Sequence, residues 1–274
     1  MKKKANDPSL HGKSDLALER RRRDPKEEGV FYKETVLWGI RFTALTVTGE
    51  CDLPKGKTLS ISLPDGLAWS ESERKHLLNA LRQALRVFFP TPCARLLVAG
   101  LGNRRLTADA LGPKVAELVE VSALLPEAVL PRGFTRVAVC IPDVLSQTGI
   151  ESVSTVAAAA KIHRADALLT VDALAARDRE RLFRVIEITD TGTVPGGGVK
   201  RGKLSLSREK LGIPVVSIGV PTVVRVGEEH FLVVRGMEEE LDTLSPLIAA
   251  AIDLHFSGSP LREEKAISSL FDAE

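Results

Sequence analysis

The sequence has few aromatic residues, few cysteines and little net charge, and each shortage narrows the choice of protein class. Aromatic residues make up 4% of the 274 residues, so a core must consist of Leu, Val, Ala and Ile, as in buried parallel strands and their covering helices. Three cysteines without a Cys-x-x-Cys pair favour a reducing cytoplasmic compartment over a disulfide framework. A formal net charge of +2 argues against a protein whose main task is to hold nucleic acid.

Long apolar runs are also missing. The most apolar stretch near the C-terminus, 247–252, is cut short by Asp253 and His255, whereas a membrane span needs ~18 uninterrupted apolar residues. The basic start, Met1 to Lys4, has no apolar segment after it and is not a secretory signal. We therefore expect a soluble, intracellular protein with no membrane and no direct nucleic-acid partner.

Several familiar catalytic and cofactor motifs are absent. The chain has no Gly-x-Ser-x-Gly, and its five histidines have no ligand spacing, so neither a serine nucleophile nor a metal site is expected. Gly100 and Gly102 follow an apolar run, but Arg105 stands where a dinucleotide fingerprint has its third glycine. The simpler interpretation is a glycine pair that allows a sharp turn, and we expect no cofactor.

The regular alternation of apolar runs and amphipathic stretches predicts the fold. It favours a three-layer α/β fold, in which helices cover both faces of a mainly parallel sheet, preceded by a strand-rich segment over 30–63. Ser70 and Glu73 have the spacing of a helix capping box. We predict a mobile arm or propeptide over 1–28, one domain over 29–256 and a polar tail over 257–274. The candidate strands are 95–100, 136–141, 167–172, 183–188, 214–220 and 231–235, and the candidate helices are 113–125, 150–163 and 237–255.

Two aspartates follow predicted strands. Asp109 comes after the strand 95–100 and its glycine turn, just before a helix predicted to start at Pro113, and Asp172 ends the apolar run 167–171. Ligands of open α/β sheets bind at the carboxyl ends of the strands, so the pair suggests acid–base chemistry on water. Taken alone, Asp172 also suits a helix N-cap.

Other residues are expected to support this pair. The stretches 141–151 and 189–199 are predicted to be non-helical and to reach the same edge of the sheet. The glycine loop 195–203, with three cations, is either a flap or an anion cradle. The supporting or substrate-binding candidates are Gly100, Gly102, Asn103, Thr107, Arg177, Asp190, Gly196, Gly197 and Gly198.

Five motifs in order along residues 95–224 resemble those of the germination (spore) proteases. They lie at 100–113, 147–151, 171–177, 188–192 and 211–222, and residues 13–17 are similar to the family's Arg-Thr-Asp-Leu-Ala start. The resemblance implies a fold similar to that of the hydrogenase-maturation proteases. It also implies an atypical aspartic endopeptidase, whose two catalytic aspartates correspond to Asp109 and Asp172.

The resemblance also implies a biological role. Family members degrade small acid-soluble spore proteins during germination, are made as zymogens that remove their own N-terminal propeptide, and assemble as homotetramers, which places this chain in the cytoplasm of the forespore or spore core. In the mechanism that we expect, one aspartate is protonated and the other accepts a proton from water. The residues do not tell which is which. Backbone amides at 100–103 or 196–198 are the expected oxyanion donors.

The chain departs from the family pattern at three places. Residues 195–201 replace Pro-Gly-Ser-Gly-Val-Gly-Asn, residues 141–146 replace Ser-Pro-Gly-Val-Met-Gly, and the chain stops soon after its last predicted helix. We expect these changes to affect three properties that the resemblance implies: substrate preference, zymogen control and tetramer contacts. Two alternatives therefore stay open: a metal-dependent peptidase of the same fold, and an inactive relative that only binds spore proteins.

Overall fold

A computed structural model describes the main body of the chain and part of each terminus. It covers residues 14–20, 29–51, 53–64, 69–90, 93–126, 129–131, 133–195, 205–227, 230–259, 261 and 265–272.

One mixed sheet organises these residues. Its order is β1-β2-β3-β7-β8-β6-β4-β5, and β9 pairs with β8. Strands β8, β6, β4 and β5 are parallel, whereas β1, β2, β3 and β7 are joined by antiparallel pairing. The strands are β1 (Val30–Leu37), β2 (Ile40–Val47), β3 (Gly56–Ser62), β4 (Arg95–Gly100), β5 (Arg136–Cys140), β6 (Ala167–Ala176), β7 (Val185–Thr189), β8 (Val215–Val226) and β9 (His230–Leu232).

Helices cover both faces, which confirms the predicted three-layer α/β fold. Along β4, Leu96 and Val98 join a core with α2, α3 and α7, whereas Leu97 and Ala99 pack with α5 on the opposite face. This alternation follows from the two-residue period of a strand. The described helices are α1 (Ala17–Arg20), α2 (Glu71–Phe88), α3 (Leu111–Leu118), α4 (Leu145–Thr148), α5 (Ser152–His163), α6 (Arg208–Leu211), α7 (Met237–Phe256) and α8 (Lys265–Ser268).

The N-terminal strands extend the same sheet. β3 pairs with β7 in antiparallel register, so the strand-rich segment predicted over 30–63 is an extension of the α/β sheet. The capping box at Ser70 is present, with the Ser70 hydroxyl accepting from the Glu73 amide. None of the helices in the described part of the chain is long and apolar enough to span a membrane.

Several predicted boundaries differ from the structure; β8, for example, continues beyond the predicted 220 to Val226. β6 continues to Ala176, because β8 pairs with it along its whole length; Asp172 therefore lies inside the strand and is not a helix N-cap. Helix α3 begins at Leu111 and already ends at Leu118. The stretch 141–151, predicted as non-helical, contains the short helix α4, which ends at Gly149 with φ +72°.

Both ends of the chain are docked where the structure describes them. Leu16 is fully buried in the main core, so residues 14–20 of the predicted arm are not free. In the predicted polar tail, Ile267 and Leu270 are buried, and Phe271 packs edge-on against Phe88 of α2. These apolar side chains explain why the two segments fold onto the domain.

Candidate active site

The turn after β4 presents Asp109. The backbone leaves the strand at Gly100, and a 3-10 turn over Thr107–Asp109 leads into α3. The Asp109 carboxylate accepts the N–H of Asn103 at 2.9 Å. Thr222 of β8 fixes the turn by donating to the carbonyl of Ala108 at 2.6 Å. Asp109 is thus held by its own loop and by the neighbouring sheet.

Glycine is required at two positions of this turn. Gly102 has φ +112°, and a Cβ there would overlap the carbonyl oxygen of Asp109. A Cβ on Gly112 would overlap the carbonyl oxygens of Leu101 and Val171. The start of α3 therefore packs directly against the backbone at the ends of β4 and β6. This close contact explains why the first turn of α3, just after Asp109, contains a glycine at position 112.

Asp172 lies on β6 beside this turn. The Leu101 N–H donates to the carbonyl of Val171 at 2.8 Å, which joins the turn to the residue before Asp172. Only 8% of the Asp172 surface is exposed, and its carboxylate accepts the N–H of Ala173 at 2.9 Å. The structure thus brings Asp109 and Asp172, the two residues predicted to be catalytic, to one edge of the sheet.

Both carboxyl groups favour the protonated form more than free aspartate does. Burial is the largest cause that raises the pKa of Asp172 well above its usual value, and the charges of Asp109 and Asp15 raise it further. The hydrogen bond from the N–H of Ala173 lowers it. Burial also raises the pKa of Asp109, the N–H of Asn103 lowers it, and the charge of Asp143 raises it. The charge of Asp109 thus disfavours ionisation of Asp172, as expected of two neighbouring carboxyl groups.

The N-terminal segment 14–20 covers the continuation of β6 beyond Asp172. β4 ends at Gly100, and within the described residues no other strand pairs with that side of β6 from Ala173 onward. There the Asp15 N–H donates to the Ala175 carbonyl at 2.8 Å, and the Ala175 N–H donates to the Asp15 carboxylate at 2.9 Å. The Arg177 N–H donates to Glu19 at 2.6 Å.

Of the predicted supporting residues, some lie in the site and others do not. Gly100, Gly102, Asn103 and Thr107 belong to the Asp109 turn. Arg177 lies at the end of β6, where its guanidinium donates to the carbonyl of Glu19. Gly196, Gly197 and Gly198 lie outside the described residues.

Asp190 does not join the pair. β7 is antiparallel to β8, with Glu187 opposite Gly219 and Thr189 opposite Ser217. Because Gly219 is also opposite Asp172, the chain after Glu187 runs away from the aspartate pair, and the stretch 189–199 starts from the opposite edge. The Asp190 carboxylate instead accepts the N–H of Lys57 at 2.6 Å.

The amides at 100–103 are not all available as oxyanion donors. The Leu101 N–H is bonded to Val171 and the Asn103 N–H to Asp109. The prediction of oxyanion donors at 100–103 therefore cannot rest on these two N–H groups.

An acidic residue that the sequence did not single out also lies here. Asp143 follows β5, and its charge acts on Asp109. The position itself was a signal, because Asp143 comes soon after a predicted strand, as Asp109 does. Asp15 also acts on the pair; it lies in the segment 13–17 that resembles the family's start, but nothing in that segment indicated a position beside β6.

A shallow depression borders the Asp109 turn. It has a volume of about 440 Å³, and Leu106, Thr107, Ala108 and Val233 are among its lining residues. Leu106 and Val233 are exposed apolar side chains, which suits an extended peptide. Within the described residues, no three His, Cys, Asp or Glu side chains are grouped as a metal site would require.

Fold and site together define the class: an α/β protein with an acidic pair at the carboxyl edge of its parallel strands. The sequence model of the germination protease family, a peptidase family, matches residues 13–228. The chain belongs to this family.

Curated relatives agree with the family match. The germination protease of Clostridium tetani is 36% identical over 205 residues, covering 72% of this chain and 64% of that protein. The germination protease of Priestia megaterium is 34% identical, covering 77% of this chain and 60% of that protein. The chain thus spans less than two thirds of the length of these two relatives.

A solved structure shows a more distant likeness. The [NiFe] hydrogenase maturation protease HycI from Thermococcus kodakarensis matches with a TM-score of 0.36 and 23% identity, over 62% of this chain and 98% of that protein. A likeness of this degree carries no conclusion about activity.

Proposed function

We propose that the chain is an endopeptidase of spore germination that hydrolyses small acid-soluble spore proteins with a carboxylate pair and a water molecule. The observation that carries the proposal is the juxtaposition of Asp109 and Asp172 beside one turn, each with a pKa raised by burial. Titratable groups perturbed in this way and placed at a strand edge are typical of catalytic acids and bases.

The surroundings of the two aspartates suggest their roles. Asp172 is the more buried, and two further carboxylates, Asp109 and Asp15, act on it, so it holds the shared proton. Asp109 accepts the N–H of Asn103, which favours its ionised form. In this mechanism, Asp109 takes a proton from the attacking water while Asp172 polarises the scissile carbonyl.

Processing and assembly belong to the same proposal. By resemblance, the chain is made as a zymogen, loses its N-terminus up to a point near 17–23 by self-cleavage, and forms a homotetramer in the forespore or spore core. Family membership supports these features. The position of Asp15 beside Ala175 of β6 adds a physical consequence, because losing the Asp15 charge would lower the pKa of Asp172.

Cleavage of a purified small acid-soluble spore protein tests the proposal. We expect Asp172→Asn and Asp109→Asn each to lower kcat at least about 100-fold, the size of a lost general acid or base, while the circular dichroism spectrum stays that of the parent. Asp253→Asn is the matched control. Asp253 also has a pKa raised by burial and accepts a backbone N–H, that of Glu120 at 3.0 Å, but it lies on α7 outside the site.

The same assay separates the alternatives. Cleavage that survives a chelator and disappears in the two site variants supports the carboxylate pair. Activity that a chelator removes and a divalent ion restores identifies a metal-dependent peptidase. Binding of the spore protein without cleavage at any pH, with or without the first ~20 residues, identifies an inactive relative.

A further inference from the structure

Asp143 has an unusual backbone for its residue type. Its φ is +58°, in the left-handed region that glycine adopts freely and that is unfavourable for other residues. Aspartate tolerates this region better than most residues do. Strained residues of this kind concentrate at functional sites, and Asp143 lies at the carboxyl end of β5, the strand next to β4.

Hydrogen bonds connect Asp143 to the turn that carries Asp109. The Gln147 amide lies between Asp143 and Asn103. In one orientation of the amide, its nitrogen donates to Oδ1 of Asn103 at 2.7 Å. In the other, its nitrogen donates to the two Asp143 carboxylate oxygens at 3.1 and 3.0 Å and its oxygen accepts from Nδ2 of Asn103 at 2.9 Å. The first orientation places the Gln147 oxygen against the acceptor oxygens of Asp143, so the second pairs the amide better, and in both Gln147 lies between Asp143 and Asn103. Asn103 in turn donates its backbone N–H to Asp109.

The backbone of Asp143 is itself fixed. Its carbonyl accepts the hydroxyl of Ser152, at the start of α5, at 2.7 Å. Its carboxylate accepts the N–H of Val144 at 3.0 Å. The backbone and the carboxylate of Asp143 are therefore each held by a hydrogen bond, and the residue remains partly exposed at the edge where the site lies.

We propose that Asp143 is a third acidic group of the active site, which positions the Asn103 turn through Gln147 and places a negative charge beside Asp109. This inference deepens the proposed function and rests on it wherever cleavage is measured. Asp143 is a positioning residue, because it acts on the reacting groups through Asn103 and through its charge.

Other charged groups around the Asp109 turn are largely paired with one another. Lys114 pairs with Asp242 at 2.6 Å, and Arg104 pairs with Glu117 at 2.8 Å. The charged residues on the elements packed against the turn are Asp172 of β6, Arg225 of β8, Lys114 and Glu117 of α3, and Glu238, Glu239, Glu240, Asp242 and Asp253 of α7; the turn itself carries Arg104 and Arg105. Among the charged residues that the structure describes outside the proposed pair, Asp143 is the one whose charge raises the pKa of Asp109.

The sign of the effect follows from electrostatics. A negative neighbour opposes ionisation, so the charge of Asp143 raises the pKa of Asp109. Since the proposed base works only when ionised, Asp143 moves the acid limb of the kcat/KM profile to higher pH. Removing the charge moves that limb to lower pH.

Two variants separate charge from position. For each protein, kcat/KM at a pH on the acid limb is divided by kcat/KM at neutral pH. We expect this ratio to be at least about twofold higher for Asp143→Asn than for the parent. Gln147→Leu retains the charge but breaks the bridge, so it should lower kcat and leave the acid limb in place. Glu151→Gln, an exposed residue of the same loop, is the control and should change neither quantity.

An NMR titration of carboxyl ¹³C signals tests the inference without any cleavage. The parent, Asp143→Asn and Asp143→Gly are titrated, because glycine suits the left-handed backbone and guards against a variant that fails to fold. A lower midpoint for the Asp109 signal in both variants supports the role of Asp143. An unchanged midpoint overturns it, even when the enzyme cleaves its substrate. A shifted midpoint in a protein without activity keeps the inference about Asp143 and rejects the proposed function.

Discussion

At the scale of single residues, the shape of the Asp109 turn depends on Gly102. This glycine combines a positive φ with a close approach to the backbone and the carboxylate of Asp109; a Cβ would stand 2.9 Å from Oδ1. The base proposed here therefore has its position set by a residue without a side chain. Catalysis depends on such placement more steeply than stability does.

We predict that Gly102→Ala abolishes cleavage and lowers the free energy of unfolding by more than backbone strain alone. Gly212→Ala is the matched control. Gly212 has φ +74°, and a Cβ there would meet nothing within 4 Å, so the control reports only the roughly 1–2 kcal/mol of left-handed strain. Urea denaturation and kcat/KM measure both variants. If Gly102→Ala lost no more stability than Gly212→Ala and retained the same activity, the close approach of Gly102 to Asp109 would be unimportant.

The residues of the site differ in how well the sequence predicts them. Asp109 and Asp172 are predictable, because each follows an apolar run in a βα alternation. Asp143 has the same positional signal, but its influence depends on the hydrogen bonds through Gln147 and Asn103. Contacts between side chains of different loops leave no periodicity in a sequence.

At the scale of elements, strand direction decides which loops reach the site. An apolar run such as 185–188 predicts a strand without its direction, and so Asp190 was expected at the wrong edge. The short connection 177–184 was an available signal, since a parallel return needs a crossover of a dozen or more residues. The pairing of β6 with β8 over its whole length was likewise not visible in the run 167–172.

The segment 14–20 is the element whose removal we predict. The mature enzyme should lack the chain up to a point near 17–23, and mass spectrometry of the active protein measures this directly. Removal takes the fully buried Leu16 out of the core. It also frees the amide of Ala175, which donates to Asp15 and should then exchange hydrogen faster; a cut beyond Glu19 frees the amide of Arg177 as well.

The control for processing is Asp172→Asn. If the chain cuts itself with the proposed site, this variant keeps its full length under conditions in which the parent is shortened. Fully active enzyme with an intact N-terminus would contradict the prediction, as would an equal shortening of the variant when it is purified in the same way.

At the scale of the whole molecule, several buried acids disfavour their own ionisation. Glu187 lies on β7, opposite Gly219 in the same row of the sheet as Asp172. Its carboxylate accepts the N–H of Ala17 at 3.1 Å. Burial raises its pKa to about 7 from 4.5, although the N–H groups of Ala17 and Leu18 lower it. The free energy of unfolding therefore depends on whether Glu187, which lies beneath the N-terminal segment, is protonated.

The consequence is a pH dependence of stability that we predict with its sign. Between pH 4.5 and about 7, folded Glu187 keeps a proton that the unfolded chain has lost, so the free energy of unfolding falls as the pH rises. The full shift corresponds to about 3 kcal/mol. His255, whose pKa burial lowers to about 4, has the opposite trend between pH 4 and 6.5, so the parent's curve alone does not isolate Glu187. The difference in the free energy of unfolding between Glu187→Gln and the parent isolates it. Measured by urea denaturation across this pH range, the stability of the variant relative to the parent should increase as the pH rises. A constant difference would mean that Glu187 ionises normally in the folded protein.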